Sequence, residues 1–198
     1  AAPLVYLRLD VLGLAHRQAF TQMLWYGMPL PPLVMGGGLF WQLTRHGKDW
    51  RSPVMLALVS SLAVFALGGV AGFALGVADT RTPSHYHAVI GGVNLALMGL
   101  IHGVLLPLMR RSSSGDGWVR AQFLLYGGGQ LLHAVGFYLA GMAGVARKTA
   151  GVEQGLDSGF KLIAMGAVGL GGAVAVLGGV IFVVQVLGRL GRGEHAHD

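Results

Sequence analysis

Two histidines carry the clearest chemical signal in this 198-residue chain. They stand in Thr82-Pro83-Ser84-His85-Tyr86-His87, at the entrance of an apolar, uncharged stretch. Thr82 suits a helix cap and Pro83 the first turn, where a missing N–H costs nothing. At 3.6 residues per turn, positions i and i+2 point about 200° apart while lying only about 3 Å apart along the axis. Such a pair cannot chelate one ion from a straight helix. It offers one imidazole to each of two partners on opposite sides, and two planar cofactors, each taking an axial nitrogen, suit that geometry. The plainer alternative is a pair of interfacial histidines without a ligand. Two within three positions, with an aromatic residue between them and no acidic neighbour, favour metal or haem ligation.

Four more residues enter at a second level. Arg147 and Lys148 end an apolar stretch, where cations are ordinary membrane-edge residues. On the same side as a haem-bearing helix they also suit propionates, for which arginine offers a bidentate fork. His102 and His133 lie deeper in apolar stretches, where histidine is costly and has either a packing partner or a ligand role. His102 follows His87 by fifteen residues, about 22 Å of helix. That spacing matches two haems stacked across a bilayer and gives a rival reading, a di-haem cytochrome b using His87, His102 and His133. His16, His46, His195 and His197 have polar neighbours and read as solvated. No phosphate-binding loop, catalytic triad or carboxylate pair appears in or near the apolar stretches.

The elements that must hold these residues are apolar. The chain is 54% hydrophobic and 11% charged, with a mean hydropathy of +0.62. Soluble domains carry roughly twice that charge fraction. Five uncharged stretches are long enough to span a bilayer: 19–44, interrupted by Pro29, Pro31 and Pro32; 53–78; 84–109; 121–146; and 162–188. The fold expected is therefore all-α and integral to a lipid bilayer, with residues 1–18 as an outer-side segment, 19–190 as a five-helix transmembrane domain and 191–198 as a cytoplasmic tail. Gly68, Gly72 and Gly76 share one face of the second span as a packing ridge. The net charge of +6 and pI near 10.2 do not imply nucleic acid, because the basic residues sit in short loops between apolar stretches. With no cysteine, any metal must take histidine or oxygen ligands. Eight Lys and Arg fall on the side of the C-terminus and six on the other, which favours a cytoplasmic C-terminus and puts His85, His87, Arg147 and Lys148 on the outer side.

Three blocks give the sequence a family likeness. The first is Gly68-Gly69-Val70-Ala71-Gly72 followed, past Asp79, by His85-Tyr86-His87 and Gly91-Gly92. The second is Asn94-Leu95-Ala96-Leu97-Met98-Gly99. The third is Gln130, His133, Gly136, Gly141-Met142-Ala143-Gly144 and Arg147-Lys148. Together they resemble the carboxy-terminal part of subunit I of the haem–copper oxidase and nitric oxide reductase superfamily, whose last five of twelve helices would cover this chain beyond residue 20. The resemblance implies two haems. His85 would be the axial ligand of the high-spin haem where oxygen or nitric oxide reacts, and His87 an axial ligand of the low-spin haem. Tyr86 would lie near the path between them, and Arg147 and Lys148 would hold propionates. The copper ligands and the second low-spin ligand of the family belong to earlier helices, so the resemblance implies a split subunit. A companion chain would carry copper or non-haem iron, alongside further oxidase subunits and a cytochrome c or quinol donor, in the inner (cytoplasmic) membrane. The family's His-Asp magnesium pair is missing, Asp79 standing without its histidine, and the first span has no lysine for a proton path. The alternatives to an oxygen reductase are a nitric oxide reductase-type split subunit, the di-haem cytochrome b, and a non-catalytic assembly subunit.

Overall fold

The structure is a computed structural model that describes residues 2–45, 49, 51–111 and 117–191. His46, Lys48, the serine-rich loop 112–116 and the tail with Arg192, His195 and His197 lie outside the described residues. All regular structure among the described residues is helical, and the chain divides into two units, residues 1–48 and 49–198.

The first unit contains α1 (Ala2–Arg8), α2 (Leu14–Gln22), a π-helical turn (Met23–Gly27) and α3 (Leu30–Arg45). The prolines break the expected 19–44 span. The continuous helix stops before Pro29, and Pro31 and Pro32 fall in the first turn of α3, where their missing N–H groups have no intrahelical partner to lose. His16 corrects the solvated reading. It is buried, with its ring 4.9 Å from both Tyr6 and Phe20.

The second unit is built from α4 (Pro53–Gly72), α5 (Arg81–Leu100), a π-helical turn (Ile101–Leu105) leading into the short α6 (Leu106–Leu108), then α7 (Gly117–Met142), a 3₁₀ turn (Gly151–Gln154) and α8 (Gly159–Gly191). Three segments are long and apolar enough to cross a membrane: Pro53–Gly72, Arg81–Leu108 and Gly159–Gly191. α7 has the length, but Gln122, Gln130 and His133 interrupt its apolar run.

The helices pack through glycine. A Cβ on Gly68 would lie 2.7 Å from the backbone nitrogen of Val89, and one on Gly92 would lie 2.7 Å from that of Phe65, so α4 and α5 touch backbone to backbone. α7 and α8 are as close: Cβ atoms on Gly129 or Gly171 would overlap the backbone nitrogens of Ala175 and His133. In an apolar solvent, dispersion contacts and Cα–H···O contacts at such short range supply association that the hydrophobic effect cannot. Ala57, Val64, Ala88, Leu95, Met98, Val119, Phe123, Tyr126 and Ala134 fill the space among α4, α5 and α7.

Two loops then meet at one end. α4 stops at Gly72 rather than continuing to residue 78, and the released segment pairs with the segment after α7. Thr80 N–H donates to Val145 O (3.1 Å), and Arg147 N–H donates to Ala78 O (3.0 Å). α5 begins at Arg81, so Thr82 is inside the helix and caps nothing. The residue ahead of it, Thr80, sends its hydroxyl to Phe137 O (2.8 Å) instead.

Candidate functional site

His85 and His87 occupy the first two turns of α5 and face different neighbours. His85 turns toward α4. Its Nδ1 lies 2.7 Å from the carbonyl oxygen of Gly68, and its ring occupies the space that a side chain at Gly72 would need, 2.8 Å from the position of an added Cβ. A carbonyl only accepts, so Nδ1 carries the proton and donates, which leaves the lone pair on Nε2. This is the state in which a histidine binds a metal through Nε2, its other nitrogen held by a backbone acceptor.

His87 turns toward α7. Its ring stacks on Phe137 (5.7 Å between centroids, 18° between planes) and meets His133 edge to face (4.7 Å, 86°). His133 is anchored as His85 is, with Nδ1 2.7 Å from Val168 O of α8, so its Nε2 also holds a free lone pair. His87 itself makes no hydrogen bond among the described residues. Tyr86, 44% exposed, leans on the His87 ring at 4.8 Å. The divergence expected from the i, i+2 spacing is thus present as two environments, α4 glycines for His85 and α7 aromatic rings for His87.

Arg147 and Lys148 lie beyond the end of α7, in the loop paired with the entrance of α5, and both are exposed. Lys148 has a left-handed backbone, with φ of 60°. Beside them Asp79 grips Arg81, with Nη2 2.8 Å from Oδ2 and Nε 3.1 Å from each carboxylate oxygen. Hydrogen bonding to the Arg81 guanidinium is the main cause that holds the Asp79 carboxyl below its ordinary value; the Arg147 charge adds to it, and burial opposes both. Gly76 has no room for a side chain because the Asp79 carboxylate fills that space. Asp79, which stands without the histidine of the family's magnesium pair, has Arg81 as its partner instead.

His102 differs from the other three. It is fully buried in the π-helical turn, with Nδ1 3.0 Å from Nη1 of Arg189 and Nε2 3.0 Å from the amide nitrogen of Gln122. Gln122 is also fully buried and is bonded by Gln185 (2.9 Å). Both ring nitrogens are engaged. Sequence reasoning missed this α5–α7–α8 network because Gln122, Gln185 and Arg189 are each unremarkable in isolation. It also missed Phe137, although Phe137 follows His133 by one helical turn.

His85, His87, Tyr86, His133, Arg147 and Lys148 thus belong to one end of the second unit, and among the described residues no three His, Asp or Glu side chains converge as a metal-ion site. What fold and site define is a helical membrane protein that displays imidazoles at one end of a glycine-packed bundle. A Rickettsia prowazekii (strain Madrid E) protein, itself uncharacterized, is 31% identical over 151 residues, which cover 71% of this chain and 29% of that relative. The chain thus spans under a third of the length of the relative it matches. No family profile matches the chain. No solved structure matches it.

Proposed function

We propose that this chain is the haem-binding, carboxy-terminal part of subunit I of a respiratory terminal oxidase-type complex in the inner (cytoplasmic) membrane. Its five helical spans would be the last five of twelve, with the C-terminus cytoplasmic and the His85–His87 end toward the outer side. The observation that carries the reading is the Nδ1–H of His85 held by Gly68 O at 2.7 Å, which presents Nε2 as an axial ligand. His87 presents its ring on the opposite side of the same helix, against Phe137. Arg147 and Lys148, exposed beside the α5 entrance, would hold the propionates. When bound, two haems supply the one-electron and oxygen chemistry. His85 holds the high-spin iron and His87 the low-spin iron, while Tyr86 covers the ring of His87 between them. Copper or non-haem iron and the second low-spin ligand come from earlier helices of a companion chain, and electrons from a cytochrome c or quinol donor.

The test is a reduced-minus-oxidised optical spectrum of the native complex, with and without CO. A low-spin band together with a CO-shifted high-spin haem is expected, and His85→Ala removes the CO-reactive haem while sparing the low-spin band. Two low-spin haems indifferent to CO would establish the cytochrome b instead, and no haem at all would leave an assembly subunit.

A further inference from the structure

We infer that His133 is a positioning residue for His87, accepting the Nδ1–H of His87 on its own Nε2 and so strengthening His87 as an axial ligand. The inference rests on the haem-ligand reading above. A histidine that binds iron through Nε2 keeps a proton on Nδ1, and that proton needs an acceptor. For His85 the acceptor is Gly68 O. His87 has no backbone carbonyl in that role and makes no hydrogen bond among the described residues.

Three rings touch His87: Tyr86, Phe137 and His133. Phe137 offers no acceptor, and Tyr86 is exposed beside its neighbour on the chain. His133 supplies what is missing. Its Nδ1–H is committed to Val168 O at 2.7 Å, which fixes the tautomer and leaves Nε2 as a bare acceptor. The two rings are already in edge-to-face contact, with centroids 4.7 Å apart and planes at 86°, and in the inferred bond the His87 ring turns about its Cβ–Cγ bond to bring Nδ1 to Nε2 of His133. The chain Val168 O, His133, His87 thus links α8 through α7 to α5. A hydrogen bond from an axial imidazole to an acceptor makes the ligand more basic and favours ferric over ferrous iron.

The test is a potentiometric titration of the low-spin haem band in the native complex, comparing wild type, His133→Leu and His133→Gln. Removing the acceptor in His133→Leu shifts the midpoint potential upward, and His133→Gln, whose amide oxygen accepts, returns it toward wild type. The CO-reactive band keeps its position in both. An unchanged midpoint in His133→Leu overturns the inference while leaving the haem reading intact. A wild-type complex with no low-spin band overturns the haem reading itself. Should His133→Leu fail to assemble, near-infrared magnetic circular dichroism of the wild-type ferric complex decides. A charge-transfer band at the energy of a hydrogen-bonded, imidazolate-like ligand supports the inference, and one at the energy of a plain neutral imidazole overturns it.

Discussion

Gly72→Ala tests whether the α4 glycines exist to seat His85. An added Cβ at Gly72 would lie 2.8 Å from both Nδ1 and Cε1 of the His85 ring. The ring must then swing away and give up its bond to Gly68 O, or α4 and α5 must separate where Gly68 already touches the backbone of Val89. Losing one hydrogen bond costs about 1 kcal/mol, and forcing a methyl group into a packed interface costs about 1–3 kcal/mol. The two routes are alternatives, so the expected loss is about 1–3 kcal/mol. Gly69→Ala is the matched control, since nothing lies within 4 Å of a Cβ there. Alanine is favoured over glycine in a helix by up to about 1 kcal/mol, so the control is neutral or slightly stabilising. The assay is the unfolding midpoint of the purified chain in mild detergent, followed by far-UV circular dichroism against rising SDS. Equal midpoints for the two variants would refute the seating argument whatever the cofactor.

Three further outcomes follow from the packing and charge. Gly171→Ala destabilises more than Gly72→Ala in the same SDS titration, because its Cβ meets the backbone nitrogen of His133 rather than a side chain that can move. Asp79 has a depressed pKa when folded, so its bond to Arg81 stabilises fully above the unfolded value near 3.8 and is lost as pH falls through the folded value. Melting temperature should therefore drop more steeply below about pH 4 in wild type than in Asp79→Asn, and parallel curves would contradict it. His102→Ala leaves Gln122 and Arg189 facing a void at a fully buried position, costing about 1–3 kcal/mol in the unfolding assay. If the proposed haem reading holds, the same variant keeps both haem bands of the native complex.

Local features of the site were legible in the sequence and long-range ones were not. The opposed directions of His85 and His87 follow from helical geometry alone, and the break at Pro29 follows from proline chemistry, so both appear in the structure. The end of α4 at Gly72 does not follow from any local signal, since residues 73–78 are apolar and helix-compatible. It comes from the pairing of residues 78–80 with 145–147, a contact across more than sixty positions. The acceptor for His85 is a backbone carbonyl, which every residue carries, so no residue type could have announced Gly68. The meeting of His87 with His133 depends on the register of α5 against α7. That register is set by glycines and small residues whose spacing does not single out one alignment. His16 looked solvated beside Arg17 and Gln18, yet Phe20 one turn on and Tyr6 from α1 cover it.

His102 shows how a structure discriminates where spacing cannot. Fifteen residues after His87 fit a second stacked haem as well as they fit a packing histidine. Yet the Arg189 guanidinium at Nδ1 and the amide nitrogen of Gln122 at Nε2 are both donors, so His102 is approached by donors on each side of its ring. A neutral imidazole has one ring lone pair for hydrogen bonding, and here two donors compete for it. To bind iron, His102 would have to break its bond with Arg189 or with Gln122, and Gln122 is fully buried. His85 needs no such rearrangement, because it donates to a carbonyl and leaves its lone pair free. On the proposed reading, that favours a ligand at the Arg147–Lys148 end of the helices, with two haems on either side of α5 rather than one above the other along it.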